Sequence, residues 1–261
     1  MDKVIDAKKP FFSIIIPTFN SYKKLLRALE SITNQTFRNF EIIIVDDGST
    51  DETKDKIQEI ISSKIHYFYK KNGGPASARN LGIKYAMGEY LCFLDADDEF
   101  MADKLFEYSI LCEKGDLFIF SDAEYINEKC HKSFIFSSKE QMKHNDLFRS
   151  LLENNFIVAS TVCVKKTVLE SVSLFDENLK LKFVEDYDLW LKIAEKYPLT
   201  YIEKPLTKYY IHESNNSHNI RKTFISLVVV YSKWSFTSLI AIKNVIKYSI
   251  VLIFHLVGIR K

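Results

Sequence analysis

A chain of 261 residues, 47% hydrophobic and 14% aromatic, is long enough to bury a full core in one domain. Its 7 glycines and 5 prolines exclude a fibrous or disordered composition, and a formal charge of +2 excludes a strongly basic nucleic-acid binder. Four scattered cysteines, Cys92, Cys112, Cys130 and Cys163, form no Cys-x-x-Cys pair and read as buried thiols in a reducing cytosol.

Residues 1–10 alternate charged and small residues without the apolar segment of a secretory leader, so a cytoplasmic location is expected. Residues 12–16 are a β-branched run stopped by Pro17. Leu25, Leu26, Leu29 and Ile32 follow at helical spacing, with Asn20 or Ser21 as the cap, predicting strand then helix. Residues 41–45 predict a second strand ending in Asp46-Asp47-Gly48-Ser49-Thr50. Ser49 and Glu52 have capping-box spacing before a helix carrying Ile57, Ile60 and Ile61. A strand at 65–69, a turn at Asn72-Gly73-Gly74-Pro75, a helix at 78–86 and a strand at 90–94 continue the alternation.

This alternation predicts an α/β fold with a mainly parallel sheet flanked by helices, in which ligands collect at the carboxyl ends of the strands. The polar clusters at 17–20, 46–51 and 95–98 fall at those ends. The second half is less regular, with strands expected at 117–120, 158–164 and 206–210 and helices at 141–152 and 186–197. One mixed domain over 1–217 is expected, followed by a helical tail over 218–261. After Glu213 there is no acid, while Arg221, Lys222, Lys233, Lys243, Lys247, Arg260 and Lys261 lie among apolar residues. That is the pattern of a membrane-surface segment or of a solvated basic helix. The longest uncharged apolar run, 248–259, is shorter than the roughly 17 to 25 residues a spanning helix needs, so a peripheral protein is expected.

The run Asp95-Ala96-Asp97-Asp98 places three carboxylates within four residues. Such groups repel, and are kept either where a cation compensates or as helix-capping acids. Oxygen ligands at a strand end suit Mg²⁺ or Mn²⁺ bridged to phosphates. Asp46 and Asp47 end another strand in the same way, so one carboxylate can accept from a base N–H while the second cluster binds ribose and metal. Gly73 and Gly74 permit close approach to a nucleotide, and Arg79 supplies a forked donor. Glu185 and Asp186 open a helix, as capping acids or as a base for an acceptor hydroxyl. His212 is a possible metal ligand or phosphate donor.

The order of these motifs resembles the inverting glycosyltransferase family 2, which has the GT-A fold. The matching segments are Ser13-Ile14-Ile15-Ile16-Pro17-Thr18-Phe19-Asn20, Val45 to Asp51, Gly73 to Asn80, Gly88 to Asp98, Leu174 to Glu177 and Glu185 to Trp190. By that resemblance Pro17, Thr18 and Asp46 line a uridine pocket, with Asn20, Asp47 and Ala96 in the same nucleotide-binding set. Arg79 neighbours the nucleotide and Asp95 meets the ribose. Asp97, with His212, ligates Mn²⁺ or Mg²⁺, and Asp186 is the general base supported by Glu185. The segment Ser214 to Ser217 is implied to close over the diphosphate.

The chain lacks the Gln-x-x-Arg-Trp motif and spanning helices of processive synthases in that family, so one sugar per turnover is implied. It is similar to short bacterial enzymes that build O-antigen or capsule. The resemblance implies transfer of a hexose from a UDP-sugar, glucose before galactose, to a polyprenyl diphosphate-linked saccharide at the inner face of the cell membrane. Two rivals remain: a sugar-1-phosphate nucleotidyltransferase, for which the loop Pro17-Thr18-Phe19-Asn20 lacks the usual Gly-rich basic character, and a catalytically inactive membrane-associated scaffold.

Overall fold

The computed structural model describes residues 9–212, 220–235 and 238–257, and side chains at 220–221 and 253–257 lie outside that description. The leader reading at residues 1–8 and the closing role implied for Ser214 to Ser217 fall outside the described residues.

The first half follows from its apolar periodicity. Strands β1 (Phe12–Thr18), β2 (Phe40–Asp46), β3 (Ile65–Tyr69) and β4 (Tyr90–Phe93) pair in parallel in the spatial order β3-β2-β1-β4. Helices α1 (Tyr22–Thr33), α2 (Thr53–Lys56) and α3 (Pro75–Tyr85) form the crossovers. Helices on both faces bury both sides of β1, which is why it reads as a continuous apolar run. Ile14 and Ile16 face Leu25, Ala28, Leu29 and Ile32 of α1, whereas Ile15 faces Ala76, Ala78 and Ile83 of α3. Gly82 lets α3 lie directly on β1, since a Cβ there would stand 2.5 Å from Ile15 Cγ2.

Two local expectations differ. The buried stripe of α1 runs through Ala28, and Leu26 is exposed. The helix expected around Ile57 to Ile61 is only the single turn of α2 followed by a 3₁₀ turn at Ile57–Ile60. Ser49 does not cap it, because its hydroxyl accepts from the Asn20 backbone N–H at 2.9 Å and so joins two loops; Asp51 Oδ1 accepts from Thr53 N instead.

In the second half, β5 (Glu99–Phe100) and α4 (Lys104–Glu113) lead to β6 (Phe118–Asn127) and β7 (Lys132–Phe136). Helix α5 (Leu147–Glu153), β8 (Cys163–Lys165), α6 (Lys166–Ser171), α7 (Glu185–Ala194) and β9 (Thr200–Ile211) follow. The sheet continues β4-β8-β6-β9-β5, with β8 antiparallel to both neighbours, β9 parallel to β6, and β7 a hairpin partner of β6. Here the apolar run at 158–164 is mostly not strand. A 3₁₀ turn at Ala159–Thr161 precedes the short β8, because Ser160 turns to bond the acidic loop after β4. The helix expected from 141 begins at Leu147, where Asp146 Oδ1 accepts from Phe148 N at 2.9 Å. The strand expected at 206–210 extends over all of β9, and α4, α6, β5 and β7 carried no clear sequence pattern. Of the cysteines, Cys92, Cys112 and Cys163 are buried, but Cys130, at the exposed β6–β7 turn, is not.

The tail forms α8 (Ile220–Trp234) and α9 (Leu239–Val257). Val230, Tyr231, Trp234 and Ala241 join the same core as Trp190 and Tyr187 of α7. Lys233 Nζ donates to Asp188 at 2.7 Å and to Asp176 at 3.0 Å, and the Tyr187 hydroxyl donates to that of Tyr231. Among the described residues no helix is long and apolar enough to cross a membrane.

Candidate active site

The loops after β1 and β4, the starts of α1, α3 and α7 and the end of β9 surround a cleft of about 470 Å³. Asn20, Arg79, Asp95, Asp97, Glu185, Asp186 and His212 all line it, although Asp97 and Asp186 are 89 positions apart in the chain. Lys24, Lys182, Phe183 and Tyr209 line it as well. None of these four carries a motif, so sequence reasoning missed them; Lys24 on the first turn of α1 offered only its nearness to Asn20.

Pro17, Thr18, Asp46, Asp47 and Ala96 do not line this cleft. Pro17 and Thr18 lie opposite Val45 and Asp46 in the β1–β2 register. Thr18 is buried, and its hydroxyl has no hydrogen-bond partner among the described residues. Asp46 accepts from Ser49 N and from the Tyr67 hydroxyl, both at 2.7 Å. Asp47 accepts from Lys70 Nζ and Gly73 N with one oxygen and from Gly74 N with the other. Gly74 and Gly48, at φ 92° and 88°, adopt the left-handed conformation these turns require. Both acids thus hold loops. Asn20, also left-handed at φ 50°, accepts from Thr50 N and Asp51 N, tying the β1 loop to the β2 loop instead of capping α1.

Arg79 is the centre of the site. Its buried guanidinium donates to Asp95 Oδ1 at 2.7 Å and to Glu185 Oε1 at 2.8 Å, linking the acidic loop after β4 to the helix that carries Asp186. Glu185 also accepts from Phe183 N, and Phe183 holds a positive φ of 89° facing the cleft. Burial, and then the neighbouring Glu185 charge, raise the Asp186 carboxyl to about 7, with Arg79 opposing. A carboxyl poised there is suited to accepting a proton near neutral pH.

The acidic loop is held from beneath. Asp98 is buried and accepts from Ser160 Oγ at 2.5 Å and Tyr210 N at 3.1 Å; burial, then the charges of Asp97 and Asp95, push its carboxyl well up. Ser160 Oγ also accepts from Asp95 N, and the buried Lys104 ammonium donates to Ser160 O and Thr207 Oγ1. Arg27 of α1 donates to the Asp97 carbonyl at 2.8 Å. Asp97 is left projecting into the cleft.

His212 Nε2 lies 2.7 Å from Asp97 Oδ2 and 2.8 Å from Lys24 Nζ. One ring nitrogen cannot both donate to the carboxylate and accept from the ammonium, so either tautomer leaves one contact unserved. A carboxylate beside an imidazole is a donor pair that a divalent cation such as Mn²⁺ or Mg²⁺ accepts. Among the described residues no group of three or more His, Cys, Asp or Glu could hold a metal alone. Mg²⁺ and Mn²⁺ need only one or two protein ligands, with substrate phosphates and water completing the shell, so Asp97 and His212 would be the residues to hold one.

A smaller cavity of about 210 Å³ adjoins the cleft and shares Asp95, Asp186 and Tyr209 with it. Its other walls include Tyr125 and Phe136 of the β6–β7 hairpin, Asn155 and Phe156. The two spaces meet at Asp186.

Comparison with known proteins follows this geometry. The family model described as glycosyl transferase family 2 matches residues 13–109, which include the three acidic or polar loops of the first half. An uncharacterized glycosyltransferase of Rickettsia felis is 40% identical over 212 residues; the chain spans 78% of its own length there and only 34% of that relative's. The Escherichia coli protein WfgD, named as a UDP-Glc:α-D-GlcNAc-diphosphoundecaprenol β-1,3-glucosyltransferase, is 32% identical over 215 residues, 79% of either chain. Staphylococcus aureus TarS, solved with UDP-GlcNAc, superposes with TM-score 0.68 at 21% identity, covering 85% of this chain and 66% of that one; at that identity the match speaks for the GT-A fold. With identity of this level along most of a relative's length, and a family model matched over the loops that build the cleft, the chain belongs to glycosyl transferase family 2.

Proposed function

We propose that the protein transfers one hexose from a UDP-sugar, glucose first and galactose next, to a polyprenyl diphosphate-linked saccharide, with inversion at the anomeric carbon. The observation that carries this reading is the meeting of two cavities at a carboxyl raised to about 7, Asp186, with Arg79 joining its helix to the acidic loop. The name of the E. coli relative supports a UDP-glucose donor and a lipid diphosphate acceptor.

In this reading the larger cleft takes the donor. Thr18 and Asp46 lie towards the base, Asp95 towards the ribose, and Lys24, Lys182 and Arg79 offset phosphate charge. Asp97 and His212 hold Mn²⁺ or Mg²⁺, which when bound neutralises charge on the diphosphate; an imidazole ligand favours Mn²⁺. The acceptor sugar enters through the smaller cavity, where Tyr125 and Phe136 offer apolar faces to a sugar ring. Asp186 takes the proton of its hydroxyl as that oxygen attacks the anomeric carbon. The bond from that carbon to the departing UDP breaks on the opposite face, and UDP keeps the electron pair. Glu185, held by Arg79 and Phe183 N, fixes the start of α7. The protein works at the inner face of the cell membrane, where such lipid acceptors are reached.

The test is a panel of UDP-sugars with Mn²⁺ and a synthetic GlcNAc-diphospho-lipid, with the product identified by mass and NMR. Release of UDP with a β-linked hexose on the lipid supports the proposal. Release of pyrophosphate assigns a nucleotidyltransferase, and UDP-sugar binding without any turnover assigns a scaffold.

A further inference from the structure

A third cavity, of about 490 Å³, lies between α9 and the end of α5, away from the cleft. Lys143, Lys243 and Lys247 line it together with the amides of Gln141, Asn154 and Asn244. The one acid in its wall, Glu153, is paired with His144 at 2.9 Å and Lys143 at 3.8 Å. Among the described residues Lys243 and Lys247 make no ion pair, and α9 contains no acidic residue.

The same helix presents an apolar stripe to solvent. Leu239, Ile242, Ile246 and Ile250 are 77%, 38%, 54% and 46% exposed. At about 100° per residue these four fall within an arc of roughly 80°, opposite the face that buries Ala241 and packs Val245 and Tyr248 on the core. Lys243 and Lys247 occupy the next sector, between the stripe and Asn244, whose amide donates to Leu152 O and anchors the cavity wall. Apolar side chains flanked on one edge by cations, with a polar cavity beyond, match the sequence of environments from acyl chain to phosphate at a bilayer surface.

We propose that the outward face of α9 docks on an anionic phospholipid bilayer, its isoleucines entering the acyl boundary and the lysine-lined cavity taking a headgroup phosphate. The complementarity of an acid-free basic helix to a negative surface chooses this occupant over a second copy of the chain. The proposed function supplies the membrane context, but the test reads no sugar transfer, so the two fail separately.

The full chain is floated with vesicles of phosphatidylglycerol and phosphatidylethanolamine, and with phosphatidylcholine alone. Binding is expected to the anionic vesicles and not to the neutral ones. The double variant Lys243→Ala/Lys247→Ala should bind about thirtyfold more weakly, taking roughly 1 kcal/mol per lysine near the surface. Lys143→Ala should weaken binding more than Lys196→Ala, which removes the same charge from an exposed site outside the cavity. Ile246→Asp, with Ile250→Asn as the milder alternative, should abolish flotation while UDP binding by calorimetry and the melting curve are kept. Equal binding to both vesicle types, or equal effects of Lys143 and Lys196, overturns the proposal. So does an absence of flotation joined to a concentration-dependent dimer that Ile246→Asp dissolves in sedimentation.

Discussion

The two halves of the sheet hold their acids by different means. In the β1–β4 half, Asp46 and Asp47 are bound largely by their own loops, through N–H groups and side chains that follow within 30 residues, and they need little from the rest of the molecule. In the other half, Glu185 and Asp186 sit on a helix whose position depends on distant groups. Arg79 reaches Glu185 from α3, Lys233 reaches Asp188 from the tail, Ser226 donates to Lys182 O, and Tyr231 meets Tyr187. Loop acids that satisfy themselves form a fixed edge of the sheet, whereas the proposed proton acceptor, Asp186, is set by contacts that exist only once the chain has folded.

That contrast can be broken from the reactive end downward. Asp186→Asn is expected to cut turnover about a thousandfold, within the range of general-base removal, with UDP-sugar binding retained in calorimetry. Undiminished turnover ends the assignment. Arg79→Ala leaves Asp95 and Glu185 facing each other without their shared cation, and should cost about 3 to 5 kcal/mol in denaturant titration, far more than a surface pair. Lys233→Met tests the tail: the buried Asp188 retains Lys192 at 2.7 Å, so a loss of about 1 to 3 kcal/mol is expected, with a shift in kcat. If kcat is unmoved, α8 is a cover and not a brace.

The gentlest test is pH. As the proposed base, Asp186 would have to be ionised to act, so kcat/KM should rise with pH and level off above about 7. The stability sign is opposite. A carboxyl raised by folding is costlier to ionise folded than unfolded, so it lowers stability once pH exceeds the unfolded value of about 4, fully so above 7. Asp186→Asn should therefore be more stable than wild type at pH 8 by up to about 4 kcal/mol, the gain vanishing near pH 4. A pH-independent difference shows that the carboxyl is not held high.

Legibility followed range of interaction. Both faces of β1 and β2 are buried, so their apolar runs and the acids ending them were plain in the sequence, and the first four strands lie where periodicity placed them. The run at 158–164 misled because Ser160 gives up strand geometry to bond Asp95 and Asp98. The β6–β7 hairpin, which walls the smaller cavity, has exposed Phe134 and Ile135 and no alternation that marks a half-buried strand. Lys104 in the middle of the core could not be foreseen, since a buried lysine is tolerated only where Ser160 O and Thr207 Oγ1 accept from it.

What the sequence by itself determined is the order of strands and acidic loops, because alternating burial and turn chemistry are written in neighbouring residues. That order was enough for a family and for a list of acids. Which of those acids line the cleft was decided by the tertiary structure alone. Asp46, Asp47, Asp97 and Asp98 look alike in sequence, yet backbone N–H groups, Tyr67, Lys70 and Ser160 turn three of them into scaffold, while Arg27 holds the Asp97 carbonyl and leaves its carboxylate beside His212. The physical reason is that a carboxylate's role depends on which donors reach it first: Asp46 and Asp47 are reached by groups that follow within 30 residues, whereas Ser160 and Tyr210 reach Asp98 from elsewhere in the chain.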